Sequence, residues 1–170
     1  MPANNRPTIG FLLASLHTGA SRALLPGVMD AAQKADVNLI GLPGGRLGVG
    51  DAFELQRNKI YDLAGEDCLD GLITWSSALG GVVGPAEVNA FHQRYRPLTM
   101  VSLAQFMEGM PTVSVDSYLG MRALLTHLIE EHGYHRLAFI RGPEGHYYAQ
   151  ERYRAYLDAL KFYGLPFIPD

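Results

Sequence analysis

Short apolar runs of strand length alternate along the chain with longer stretches in which apolar residues return every three or four positions. That alternation is the pattern of βα units, which build a parallel sheet covered by helices on both faces. Residues 8–13 (TIGFLL) read as the first strand. Leu24, Leu25, Val28, Met29 and Ala32 then recur at helical spacing up to Asp36, and residues 37–42 form a second strand that Pro43, Gly44 and Gly45 bring to an end. A second helix is expected over 52–63, with Phe53, Leu55, Ile60 and Leu63 as its apolar positions, and a third strand over 72–75 behind Asp70-Gly71. Residues 85–95 predict a third helix; Pro97 closes it, and 98–103 supply the fourth strand. A short extended run at 112–115 leads through Asp116-Ser117 into a helix over about 118–131, for which Ser117 is the expected N-cap and Gly133 the stop. A sixth strand at 137–140 precedes Gly142-Pro143, and a last helix carries 152–163 before Gly164-Leu165-Pro166.

The fold class that follows is α/β, a Rossmann-like parallel sheet with helices on both faces. A chain of 170 residues buries roughly 70% of its unfolded surface, enough for a core without staples. With 48% hydrophobic and 18% charged residues the composition is that of a globular protein. Solenoid repeats and low-complexity tracts are absent from the sequence.

Charge narrows the list of partners. The formal net charge is -3 and the basic residues are dispersed, so no Lys/Arg run offers itself to the phosphates of a duplex, and direct contact with nucleic acid is not expected. The opening MPANNRPTIGFLL has a polar start and an apolar run too short for a signal peptide or a membrane span, which points to a cytoplasmic location and no membrane partner. The lone Cys68, just before an apolar strand, is expected to be an inert, half-buried thiol.

Three segments tempt a chemical reading that their spacing does not support. GLPGGRLGVG, residues 41–50, lacks both the phosphate-loop pattern and the dinucleotide fingerprint, and reads as a flexible loop. Ser15, Ser76 and Ser77 have no G-x-S-x-G context for a nucleophile, so no catalytic residue is assigned and the segment is not read as an enzyme. HLIEEH resembles an inverted zinc motif but is one residue too long: two histidines five apart on a helix diverge, so His127 and His132 are not expected to share a metal. No cofactor is called for.

The stretch VDSYLGMRALLTHLIEEHGYHRLAFIRGP, residues 115–143, is similar to the middle of LacI/GalR-family effector domains. The likeness rests on Val-Asp at a strand end, Gly120 in the first helical turn, His127-Leu128-Ile129, Gly133, and Arg136 before an apolar strand ending in Gly142-Pro143. Arg152 follows at the spacing where that family places a ligand-binding arginine, while Asp70-Gly71-Leu72-Ile73 and residues 7–11 resemble the family's third and first strands. The resemblance implies the periplasmic-binding-protein-like type I fold. In it two Rossmann-like lobes hold a small ligand, and their closure is the signal. On this reading residues 1–133 are the N-terminal lobe and 134–170 an incomplete beginning of the C-terminal lobe.

Open parallel sheets bind ligands outside the carboxyl ends of their strands. The loops there supply Ser15 and His17, then Gly44 and Gly45, then Trp75, Ser76 and Ser77, then Asp116, and finally Tyr147, Tyr148 and Arg152. A carboxylate only accepts hydrogen bonds and a guanidinium only donates them, so Asp116 and Arg152 can bracket ligand hydroxyls from two sides, with Trp75, Tyr147 and Tyr148 against a ring. Each has a plainer reading: Asp116 as a helix cap, Arg152 as the surface partner of Glu151 or Glu144, Trp75 as core, His17 as a solvent-facing loop residue.

The expected ligand is a polar, sugar-like or nucleoside-like small molecule. LacI/GalR regulators carry a DNA-binding helix pair ahead of the first strand; with six residues before Pro7 and Met as the first, this chain is expected to lack it. The leading expectation is therefore the sensor segment of a bacterial signalling protein such as a histidine kinase or cyclase, working as a homodimer and passing its signal to an output domain. Two alternatives stand beside it: the effector domain of a LacI-family transcriptional regulator without its DNA-binding head, and, from another class, a Rossmann- or flavodoxin-like enzyme using a nucleotide or flavin.

Overall fold

Residues 6–168 are described by a computed structural model; the polar start up to residue 5, Met1 included, lies outside the described residues. Five parallel strands pair in the order β2-β1-β3-β4-β5. They are β1 (Thr8–Leu13), β2 (Asn38–Pro43), β3 (Gly71–Thr74), β4 (Thr99–Leu103) and β5 (Thr112–Val113). The parallel α/β architecture expected from the alternation of apolar runs is thus the observed one. The helices are α1 (Gly19–Lys34), α2 (Ala52–Arg57, continued as a 3-10 helix over Asn58–Leu63), α3 (Ser76–Leu79), α4 (Pro85–His92, with a 3-10 turn Gln93–Tyr95), α5 (Ser117–Glu130) and α6 (Tyr147–Phe162). Among them none is long and apolar enough to cross a membrane.

The chain divides into two compact units, residues 1–114 and 115–170, so the expected boundary near Gly133 falls inside the second unit, at the end of α5. In the first unit each strand buries alternate side chains on opposite faces, as a two-residue period requires. One face carries Leu12 and Leu72 into a core with Leu42, Tyr61, Leu69, Leu79, Phe91 and Tyr95, supplied by the 3-10 segment, α3 and α4. On the other, Ile9, Leu39 and Ile73 share a groove with Leu24 and Val28 of α1. Helices therefore cover both faces.

Buried beside the first core, His92 of α4 is 1% exposed and its Nε2 lies 2.8 Å from Thr74 Oγ1. Burial pushes this imidazole from 6.5 down to about 4. Between those values the unfolded chain holds a proton that the folded one does not. The stability that a neutral His92 contributes is therefore complete above the unfolded value and lost as pH falls toward the folded one. From pH 7 to pH 5 the loss is about 2 kcal/mol for this residue. His92→Gln, whose amide faces Thr74 but cannot ionise, is expected to flatten the change in urea midpoint between those two pH values; an unchanged slope would assign the dependence to other groups.

The second unit is built on α5 and α6. Leu125, Tyr156, Ala159 and Leu160 form its core, with Leu137, Phe139 and Leu165 packed against it. Tyr118 donates to Asp158 at 2.8 Å, Arg122 lies over the Phe162 ring at 5.4 Å, and Tyr163 donates to Glu130 at 2.6 Å. The contacts advance together along both helices, so α5 and α6 run parallel and staggered, with the first turn of α5 beside Arg154 and Asp158 of α6.

Several expectations are corrected here. Residues 137–140 do not join a sheet. They keep the inward-outward alternation of a strand, with Leu137 and Phe139 half-buried and Ile140 99% exposed, but among the described residues no neighbouring strand supplies a ladder. β5 stops at Val113 rather than at Val115. The N-cap of α5 is Asp116, whose carboxylate accepts the Leu119 N–H at 2.8 Å, and not Ser117, which is the first helical residue. Cys68 is exposed. The 41–50 loop is tied down at its start, where Gly44 and Gly45 are buried and the Gly45 N–H donates to Asn58 Oδ1 at 2.6 Å.

His127 and His132 meet instead of diverging, because α5 ends at Glu130 and His132 lies beyond it. Gly133 takes the left-handed conformation at φ 65°, and its N–H and that of Tyr134 return to the carbonyls of Ile129 and Leu128. The chain thereby turns back on the last helical turn.

Candidate functional site

In the first unit the strand order reverses direction between β1 and β3, so the crevice at their carboxyl ends is the topological switch point where ligands of open α/β sheets bind. Ser15, His17 and Trp75 border it. The Trp75 N–H donates to the Leu12 carbonyl at 2.9 Å, joining the two strand ends, and the indole is half-buried. Ser15 Oγ accepts the His17 N–H at 3.1 Å, and the Ser15 carbonyl accepts from Ser21 Oγ at 2.5 Å. The imidazole of His17 is exposed.

This edge is held from below. The Tyr61 hydroxyl lies 3.1 Å from the Leu13 carbonyl and 2.8 Å from that of Gly45, stitching the ends of β1 and β2. Burial, the largest cause, raises the pKa of that phenol, so it stays a donor. Arg57 pairs with Glu54 at 3.0 Å and donates to the Ala14 carbonyl at 3.2 Å. These bonds fix the ends of β1 and β2 relative to one another.

Ser76 is placed differently from Ser15. It begins α3, is fully buried, and its Oγ lies 2.7 Å from Ser102 Oγ, which is also 2.6 Å from the Gln105 carbonyl. It anchors α3 to β4 and has no open face for a ligand. Ser77, beside it, is half-buried.

In the second unit Asp116 is the N-cap of α5, while Tyr147, Tyr148 and Arg152 lie on the first two turns of α6. Tyr147 and Tyr148 stand edge to face with centroids 5.5 Å apart. They lie on the first turn of α6 and not on a loop, because that helix begins five residues before Arg152. Glu144 and Glu151, the surface partners considered for Arg152, pair with Arg141 at 3.4 Å and Arg154 at 2.8 Å, respectively. Among the described residues Arg152 enters no ion pair, so its guanidinium remains available.

Two residues of interest had escaped the sequence reading. His146 is the N-cap of α6, and burial, then the charge of Arg152, lowers its pKa; its Nδ1 is out of solvent with no hydrogen-bond partner among the described residues. Its place between a Gly-Pro loop and a helix is the signal that marks it. Ala104, at the carboxyl end of β4, holds φ 63°, a conformation costly for a residue with a Cβ. Nothing in its local sequence announces that strain.

No family model matches the chain, and no curated protein matches it in sequence. Solved structures do match in fold. The transcription regulator CcpA of Lactococcus lactis superposes with a TM-score of 0.72 at 20% identity, covering 96% of this chain and 56% of its own. A periplasmic binding protein/LacI transcriptional regulator from Alkaliphilus metalliredigens, in complex with D-xylulofuranose, gives 0.69 at 19% identity over 94% of this chain and 54% of its own. A sugar-binding LacI-family regulator from Escherichia coli, complexed with phosphate, gives 0.66 at 18% over 95% and 55%. The chain thus spans about half the length of these structures. With its β2-β1-β3-β4-β5 parallel sheet, it has the periplasmic-binding-protein-like α/β fold found in LacI-family regulators.

Proposed function

We propose that this chain is part of the effector-binding region of a LacI-type transcriptional regulator, binding a polar, sugar-like or nucleoside-like molecule without catalysing a reaction on it. The observation that carries this is the pair of aromatic rings and the guanidinium outside any ion pair among the described residues on the first two turns of α6. Helix amino termini with such groups suit hydroxyl-rich or anionic ligands. Tyr147, Tyr148 and Arg152, with Asp116 of the same unit, are the proposed ligand contacts; the crevice at the switch point of the first unit, with Ser15, His17 and Trp75, is proposed by itself as a place for a polar ligand.

The matched structures named as transcriptional regulators favour this reading over a histidine kinase or cyclase sensor. Their sugar and phosphate complexes favour a small polar ligand over a nucleotide or flavin cofactor. DNA binding, dimerisation and a cytoplasmic location are proposed for the whole protein and not for this chain by itself. Binding acts by favouring one conformational population over another.

A thermal-unfolding screen against sugars and nucleosides is the test. A true effector at a hundredfold excess over its Kd is expected to stabilise the chain by about 2.7 kcal/mol. A panel with no stabilising member, or purified protein that carries an absorbing nucleotide or flavin, would overturn the proposal.

A further inference from the structure

The turn that closes α5 brings His127 and His132 together: their Nε2 atoms lie 3.1 Å apart, with ring centroids at 4.8 Å and planes at 85°. One imidazole donates to the other in this arrangement; when both neutral rings carry their proton on Nδ1, each Nε2 offers a lone pair, and the two nitrogens lie close enough to bind one ion. For metal–nitrogen bonds of about 2.05 Å, a separation of 3.1 Å subtends roughly 98° at the metal. That angle falls between octahedral and tetrahedral values.

The pair is also held in place. Tyr134 stacks on His132 with centroids 5.5 Å apart and planes 15° from parallel, while Gly133 in its left-handed turn fixes the backbone between those two rings. Both histidines sit at the carboxyl end of α5, where the helix dipole places partial negative charge and favours a cation. Among the described residues no third His, Cys, Asp or Glu joins them. Two ring nitrogens and solvent would complete the coordination.

We propose that His127 and His132 form a two-imidazole chelating site for a divalent transition-metal ion, with Cu2+ bound tightest in the ordinary order of affinities. The site lies apart from Asp116 and Arg152, at the opposite end of α5, and does not depend on the effector reading. Both histidines are exposed, so replacing either removes no core packing.

Cu2+ titration of the untagged chain at neutral pH, read by calorimetry and electron paramagnetic resonance, tests it. One equivalent is expected to bind with the signature of two imidazole nitrogens, and His127→Gln and His132→Gln are each expected to weaken it at least about tenfold. Circular dichroism checks that both variants keep their helices. Absence of stoichiometric binding, or a two-nitrogen spectrum that survives in the double variant, overturns the site.

Discussion

Tyr61→Ala is expected to cost the first unit about 3–5 kcal/mol, the range for removing a large buried aromatic side chain. Marginal domains hold about 5–15 kcal/mol in total, so the variant is expected to unfold far more readily and in the worst case to populate the unfolded state in buffer. Three losses combine. The ring is fully buried and packs edge to face on Phe91 at 5.4 Å. Its hydroxyl leaves two carbonyls, those of Leu13 and Gly45, without their shared donor. Gly44 lies so close that a Cβ there would run into the ring, and the backbone built around Tyr61 has little room to collapse into the cavity left behind.

Urea unfolding followed by circular dichroism measures the effect, and Tyr61→Phe, which removes only the hydroxyl, is expected to cost about 1–3 kcal/mol. A loss of under about 1 kcal/mol in Tyr61→Ala would show that the two strand ends do not depend on this side chain.

Arg152→Ala is expected to weaken binding of the effector found by thermal screening about hundredfold, the worth of a charge-assisted contact, while leaving the urea midpoint nearly where it was. Stability is spared because the neighbouring glutamates pair with Arg141 and Arg154 instead. Arg152→Lys keeps the charge and loses the planar fork, and falls between.

Asp116 calls for a different design, since its carboxylate also caps α5. Asp116→Ala removes cap and charge together and is expected to cost about 1 kcal/mol of stability besides affinity. Asp116→Asn keeps a capping oxygen and removes only the charge, so affinity lost in that variant reports on the ligand alone. Calorimetry with unchanged affinity in both Arg152→Ala and Asp116→Asn would remove these residues from the site.

How much of this was legible beforehand varied with the range of the interaction. The periodicity of residues 8–13, 37–42 and 98–103 announced strands that are present within one residue, because strand alternation and helical spacing are written into a few consecutive side chains. Resemblance over residues 115–143 pointed to the fold that the matched structures display. Helix ends were less readable. Asp116 and Ser117 are both good caps by residue type, and the choice between them depends on which backbone conformation the preceding strand leaves behind. α3 is only four residues long, too short to show a period.

Residue order by itself determined that this chain would make parallel βα units, and where the first four strands lie, since those follow from local periodicity and from glycine and proline punctuation. Tertiary structure alone decided the rest. It buried Ser76 against Ser102, left Arg152 outside any ion pair among the described residues, ran α5 and α6 parallel, and folded His132 back onto His127. Each of these outcomes is set by groups remote in the chain or by a turn outside any repeating pattern, and a one-dimensional period carries no information about which distant partner arrives.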